Sequence, residues 1–359
     1  YHNTLRSICV DRLARVLLFD SIFLKNSGTF LKFTSSTILS MTWKDFPRPL
    51  VCLAPMDGIT NTAYRRIVRS LSKRTLLFSE FTSVDGLLRS ERLRERMDYH
   101  PSEHPFFMQL FGNDPQAFAE VSKMVEDRGI LGVDINMGCP SKKIVNSQHG
   151  SALMKDVDGA CRIIESIRSA CNLEVSVKTR LGWENADNLI PFAKSLEAAG
   201  TSLVTIHGRT YRQAFKGDAN WEPIYELKRN LSIPVVGNGD VQDYSDGIKK
   251  TKNLDGFMIG RSAIGNPWVF CNPNERGSPS LAERVETAIR HYELLREFQT
   301  EHRALREFRK YLGEYIQGFR HAKEQRKQLM TCEREEDFLN QMREIASWEA
   351  SDSELAFAS

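Results

Sequence analysis

The stretch "SLVTIHGR", residues 202–209, is an apolar and β-branched run that stops abruptly on His207, Gly208 and Arg209. A short run of this kind suits a strand buried on both faces, the usual condition in a parallel sheet. Just ahead of it, "LIPFAKSLEAAG" (189–200) has helical period and ends on the glycine expected past a helix C-terminus.

The pairing of strand and helix recurs in both directions. Further strands are expected at "LVCLAPM" (50–56), "LLFSEF" (76–81), "PFFMQLFG" (105–112), "GVDINMG" (132–138), "EVSVKTR" (174–180), "PVVGNG" (234–239) and "GFMIGR" (256–261). Amphipathic segments such as "TAYRRIVRSL" and "PQAFAEVSKMVEDRG" lie between them. Eight βα units in succession predict an α/β fold of the TIM (β/α)8 barrel type. A doubly wound sheet is the competing topology, and it is disfavoured because no GxGxxG follows the first strand.

Seven of these runs, with "SLVTIHGR", end on polar or functional residues: Met56, Glu80, Gln109, Asn136, Lys178, His207, Asn238 and Arg261. In a barrel such positions share the C-terminal mouth, where active sites form.

Beyond the barrel, "NPNERGSPS" (272–280) reads as a linker, and 281–349 is nearly free of Gly and Pro. The expected organisation is a catalytic barrel over 41–272, a small all-helical domain over 281–349 and a tail over 350–359. Within 303–334 nine Lys/Arg stand against four Glu, with Tyr311, Tyr315 and Phe319 interleaved. That cluster is either a solvated helix face or a contact for a phosphate backbone.

The chain opens on Tyr1, and its first methionine is Met41. Residues 1–40 are read as a leader, either foreign to the native protein or disordered. Arg6, Arg12 and Arg15 would suit targeting, while Asp11 and Asp20 argue against it. Its apolar run "VLLFDSIFL" is broken by Asp20 and falls short of the roughly 20 residues a membrane span needs.

Hydrophobic residues make up 41% and charged residues 26%, a globular balance that excludes wholesale disorder and a membrane bundle. A net charge of +3 is too small to mark a nucleic-acid binder by itself. Seven scattered cysteines without a CxxC pair suit a reducing compartment, and no metal site is expected.

Glycines in "VVGNGD" (235–240) and "IGRSAIGNP" (259–267) close strands seven and eight, where this fold usually binds phosphate. Lys178 and His207 would face the same mouth and suit a cofactor with a negatively charged ring, such as a reduced flavin. Cys139, in "INMGCPSKK" (135–143), lacks metal partners of tetrahedral spacing and an obvious activating base. As a thiol it could donate a proton, or it could be a small buried hydrophobe. Asn136 offers an amide able to read a base edge.

Together "APMDGITNTAYR", "NMGCPSKKI", "SVKTRLGW", "HGRTYRQAFKGDANW", "GNGDV" and "DGFMIGRSAIGNPWVF" resemble the tRNA-dihydrouridine synthases over roughly residues 48–335. The resemblance implies a TIM barrel holding FMN, a helical tRNA-binding domain, and NADPH-driven reduction of a tRNA uridine. It implies that Pro55, Met56 and Asp57 form a loop over the flavin ring, with Gln109, Lys178 and His207 contacting it. Asn238, Gly239, Asp240, Gly260 and Arg261 match the phosphate-binding ends. Cys139 falls on the proton donor, and Asn136 and Arg180 on residues that hold the uracil.

In that chemistry, reduced flavin gives hydride to C6 of uracil and Cys139 protonates C5. Lys142, Lys143, Arg306, Arg309, Arg320 and Lys323 become candidates for the RNA backbone. The "NSQHGSALM" segment (146–154) is less glycine-rich than the resemblance leads one to expect. A cytoplasmic monomer with no membrane partner is expected. The alternative activity is an FMN-dependent oxidoreductase of a free pyrimidine, in the manner of dihydroorotate dehydrogenases; a non-catalytic RNA-binding protein on a degenerate barrel is a third reading.

Overall fold

The computed structural model describes residues 22–26, 29–33 and 41–356. Of the leader it describes an antiparallel hairpin, Ile22–Asn26 with Thr29–Phe33; the reading of the remaining residues up to 40 lies outside the described residues.

Eight parallel strands follow in order: β1 (Leu50–Leu53), β2 (Leu77–Phe78), β3 (Phe106–Phe111), β4 (Gly132–Asn136), β5 (Glu174–Arg180), β6 (Leu203–His207), β7 (Val235–Asn238) and β8 (Gly256–Ile259). Each pairs with its successor from β2 to β8, and β8 pairs with β1. Between β1 and β2 the ring closes through a parallel bridge from Cys52 to Leu76. This is a TIM barrel. The expected second strand, 76–81, shortens to Leu77–Phe78, and Thr82–Ser83 just beyond it makes a separate pairing with the end of β3.

Outside the ring lie α1 (Thr62–Leu71), α2 (Val84–Arg89), α3 (Pro115–Glu126), α4 (Val157–Ala170), α5 (Leu189–Ala198), α6 (Glu222–Lys228) and α7 (Tyr244–Thr251). Local chemistry sets their ends. The Asp114 side chain accepts from the Gln116 amide and Pro115 starts α3, while Gly129, at φ +70°, follows its end. Phe118, Val121 and Val125 on α3 are buried against the barrel, each contributing about 1.5–3 kcal/mol.

Period-two alternation then decides what fills the ring. On β3, Phe107 joins the inner cluster with Leu50, Cys52, Phe78, Leu203, Val236 and Met258, whereas Phe106 and Met108 face the helices. Trp43 closes the lower end, stacked on Phe107 at 4.4 Å between ring centres, with its Nε1–H donating to Ser202 Oγ at 2.9 Å. The interior is therefore apolar below. One step up β3 to β6 it becomes polar, with Gln109, Asp134, Ser176 and Thr205 buried there.

The chain after the barrel is helical: α8 (Leu281–Arg296), α9 (Glu301–Phe308), α10 (Leu312–Tyr315), α11 (Ala322–Thr331) and α12 (Glu335–Ala356). These helices share a continuous core with the barrel, through Tyr64, Phe308, Tyr311 and Tyr315 among others. Tyr64 stacks on Tyr311 at 5.3 Å and donates its hydroxyl to the Ala263 carbonyl. Among the described residues no helix is long and apolar enough to cross a membrane.

Candidate active site

At the C-terminal mouth lies a cavity of about 670 Å³ to which the end of every strand contributes. Pro55, Met56, Asp57, Gln109, Asn136, Cys139, Lys178, Arg180, His207, Asn238, Gly239, Asp240, Gly260 and Arg261 all line it. The phosphate-backbone candidates lie elsewhere.

The floor is a hydrogen-bonded polar layer. Gln109 Nε2 donates to Asp134 Oδ2 at 2.6 Å, and Ser176 Oγ donates to Asp134 Oδ1 at 2.6 Å. Asn136 Nδ2 donates to Gln109 Oε1 at 3.1 Å. Burial pushes Asp134 up to about 6, against the opposing pull of these donors and of Lys178.

Asn136 also builds the cysteine loop, because its Oδ1 accepts from the backbone N–H of Gly138 at 3.1 Å and of Cys139 at 2.9 Å. One amide hydrogen of Asn136 remains for a ligand. Arg180 holds the same loop from the other side. Its Nε donates to the Gly138 carbonyl at 2.7 Å and its Nη1 to the carbonyls of Thr210 and Ala214. The Nη2 hydrogens are left to face a ligand.

Behind the loop, Gly150 sits at φ +60°, where a Cβ would meet Ile144 at 2.9 Å and Cys139 at 3.3 Å. The single glycine in "NSQHGSALM" thus stands where the backbone crowds Cys139.

Burial raises the Cys139 thiol above its ordinary value, outweighing the Ser141 amide and the Arg180 charge that favour thiolate. The thiol is the resident form at neutral pH. Burial and the neighbouring Arg180 pull Lys178 down to about 8. His207 is held to about 2 by burial and by Lys178, Arg180, Arg209 and Arg261 around it, so its ring is neutral. Four cations thus surround one half-buried imidazole whose Nδ1 has no hydrogen-bond partner among the described residues.

Asp240 offsets part of this charge. Its carboxylate pairs with Arg209 at 2.6 Å and Arg261 at 2.9 Å and accepts from the Ala219 amide at 2.8 Å. It therefore holds Arg261 at the cavity, with Arg209 buried behind it, instead of meeting an anion itself. Beside it Gly239 adopts φ +124°, and a Cβ there would meet Ala219 Cβ at 2.6 Å. A Cβ on Gly260 would project between Ala54 and Met56, at 3.7 and 4.0 Å. This donor set, rich in cations and with bare backbone at Gly239 and Gly260 beside Arg261, fits a flat cofactor with an anionic end and an anionic ring.

Several site residues escaped sequence reasoning. Asp134 was masked within an apolar run, although its position two before Asn136 places both on the inner face. Arg209 lies inside a motif already noted. Phe215 lies in the same motif but was given no role; it is 61% exposed, with Arg180 and Arg261 within 5.7 and 6.0 Å of its ring centre.

The phosphate-backbone candidates divide. Lys142, Arg306, Arg320 and Lys323 are exposed, while the Lys143 side chain lies outside the described residues. Arg309 is drawn inward, donating to the Cys332 carbonyl at 3.1 Å. Tyr311 and Tyr315 are fully buried, so these two aromatics are core residues and offer no ring face to a ligand.

Fold and mouth together define a (βα)8 barrel whose C-terminal end opens on a cation-rich cavity. The family follows from the whole chain. A profile of the dihydrouridine synthase (Dus) family matches residues 52–351, and the chain belongs to that family. It is 34% identical over 281 residues to a probable tRNA-dihydrouridine synthase of Rickettsia conorii, covering 75% of this chain and 84% of that one. It is 34% identical over 289 residues to a probable tRNA-dihydrouridine synthase 1 of Synechocystis (78% and 81%). With tRNA-dihydrouridine synthase B of Xanthomonas axonopodis it shares 36% identity over 279 residues (74% and 83%).

Proposed function

We propose that this protein is a tRNA-dihydrouridine synthase that holds FMN in the barrel mouth and, with NADPH as reductant, converts a uridine of tRNA to 5,6-dihydrouridine. What carries the reading is a protonated thiol, Cys139, in one cavity with Lys178, Arg180 and Arg261, in a chain of this family.

When bound, reduced FMN supplies the hydride that C6 of uracil accepts. The chain's own residues do the rest. Pro55, Met56 and Asp57 edge the ring site, Gln109 is oriented toward it by Asp134, and Lys178 neutralises negative charge on the ring. Arg261, aimed by Asp240, and the backbone of Gly239 and Gly260 receive the phosphate. Asn136 and Arg180 offer amide and guanidinium hydrogens to the uracil carbonyls. Cys139 holds the proton that C5 takes, the role a half-buried thiol can fill and a thiolate cannot. Lys142, Arg306, Arg320 and Lys323 contact the RNA backbone, and the target base leaves its stack to reach the cavity.

Incubation of the purified protein with unmodified tRNA and NADPH, followed by mass mapping, should reveal dihydrouridine. Reversing Arg306, Arg320 and Lys323 to Glu should raise KM for tRNA at least about tenfold, since each phosphate contact adds to a salt-dependent affinity. Flavin reduction should be unaffected. Turnover of a free pyrimidine that ignores these reversals would favour the dihydroorotate-dehydrogenase-like alternative.

Lys178 supplies a pH test. Its ammonium is charged below about pH 8, so affinity of the apoprotein for FMN should fall as pH rises through that value. Lys178→Met should bind more weakly and lose the step. An unchanged step in the variant would remove Lys178 from this role.

A further inference from the structure

The turn after β1 separates two cavities. Asp57 lines both the catalytic mouth and a second space of about 950 Å³ between the barrel and the C-terminal helices. The turn is closed internally, with Ile59 N–H and Thr60 N–H donating to the Met56 carbonyl at 3.0 Å and Met56 N–H donating to Thr60 Oγ1 at 2.9 Å.

Outside contacts hold it from two directions. From the barrel, Glu80 Oε1 accepts the Gly58 N–H at 2.5 Å. From the helical part, Lys310 Nζ donates to the Gly58 carbonyl at 2.9 Å, Tyr311 Oη donates to the Ile59 carbonyl at 2.6 Å, and Glu307 Oε1 accepts from Asn61 Nδ2 at 2.8 Å. Glu307, Lys310 and Tyr311 stand three and four residues apart, so one face of the chain leaving α9 grips Gly58, Ile59 and Asn61. Gly58 itself is at φ +71°, and a Cβ on it would come within 3.1 Å of Lys310 Nζ.

We infer that Lys310 and Glu80 are positioning residues: by holding the two peptides of Gly58 from opposite sides, they set the Met56–Asp57 edge of the cofactor cavity and tie it to the seating of the C-terminal helices. Both bonds are charge-assisted, and so are stronger than the turn's own neutral bonds. Glu80 is the half-buried partner, and burial raises its carboxyl above the ordinary range despite the Gly58 amide. Lys310 is exposed at the surface, yet its ammonium is used on the barrel. A residue of the basic 303–334 cluster, outside the RNA-backbone candidates picked from sequence, would then act on the cofactor site. The inference rests on the proposed function for the identity of that cofactor.

The test is FMN titration of apoprotein, followed by flavin fluorescence and the visible band shape, on wild type, Lys310→Met and Lys310→Arg. Loss of one charge-assisted bond should raise the FMN Kd about tenfold in Lys310→Met, with an altered band shape and KM for tRNA within about twofold of wild type. Lys310→Arg should recover most of the affinity. Glu80→Gln, which keeps an acceptor but loses the charge, should move the same readouts in the same direction by less, and serves if Lys310→Met is poorly folded. Wild-type FMN affinity in both Lys310→Met and Glu80→Gln overturns the inference. So does a rise in KM for tRNA with FMN binding unmoved, because Lys310 would then be an RNA contact. Wild-type protein that takes up no FMN overturns the proposed function, and the inference falls with it.

Discussion

Cys139→Ala protein should bind FMN and be reduced by NADPH as wild type does, yet form dihydrouridine at least about 10²-fold more slowly, the usual range for loss of a general acid being 10²–10⁴. The separation of half-reactions follows from geometry. Cys139 sits on the loop after β4, which Asn136 and Arg180 hold by its backbone, while the sulfur itself meets the Ser141 amide. Removing Sγ should therefore leave the loop, the polar floor and the cation ring in place. What is lost is one proton at the cavity wall. Because burial holds the thiol above its ordinary range, product formation in the wild type should persist at pH values where an exposed cysteine has already ionised, and decline only further up. Single-turnover measurement of dihydrouridine across pH separates this from flavin reduction. Full product yield at the wild-type rate from Cys139→Ala would sink the proton-donor assignment.

The barrel was legible because its signal is redundant: eight apolar runs, all but the first closed by a polar residue, admit few other topologies. The mouth was legible for the same reason, since strand ends converge by construction of the fold. What sequence could not supply was the use each side chain makes of its hydrogens. Asn136 and Arg180, read as substrate contacts, use most of their donors and acceptors on the backbone of the Cys139 loop and its neighbour. Asp240 stands in a phosphate motif but pairs with two arginines. In the helical part, a linear count of charges and rings cannot tell Tyr311, which is fully buried, from Arg306, which is exposed. Helical period separates inside from outside only once the packing partners are known, and here one partner is the barrel itself.

The largest stability effect should come from a residue with no catalytic part. Glu103 is fully buried and anchors the start of α1 to the segment before β3. Its carboxylate pairs with Arg65 Nε, accepts the Thr62 hydroxyl, and accepts the His100 N–H at 2.7 Å. Arg65 is itself only 3% exposed, lies over the Phe106 ring at 4.6 Å, and donates its Nη1 to the Thr60 carbonyl at 2.6 Å. Glu103→Ala leaves that guanidinium buried without its paired carboxylate, a change that typically costs about 3–5 kcal/mol. A smaller loss would result if the pair were replaced whole, as in Arg65→Met with Glu103→Leu, since desolvation offsets much of a buried ion pair's attraction. Urea unfolding checks both: the single variant should lower the midpoint sharply with little change in slope, and the double variant should recover most of it. Less than about 1 kcal/mol for Glu103→Ala would place the Arg65 charge in contact with water. Because Thr60 is bonded to both Arg65 and Met56, the destabilised protein should also loosen first at the turn that edges the cofactor cavity. Hydrogen exchange at Ile59 and Thr60 should rise in Glu103→Ala before that of the barrel strands, linking the buried ion pair to the mouth it supports.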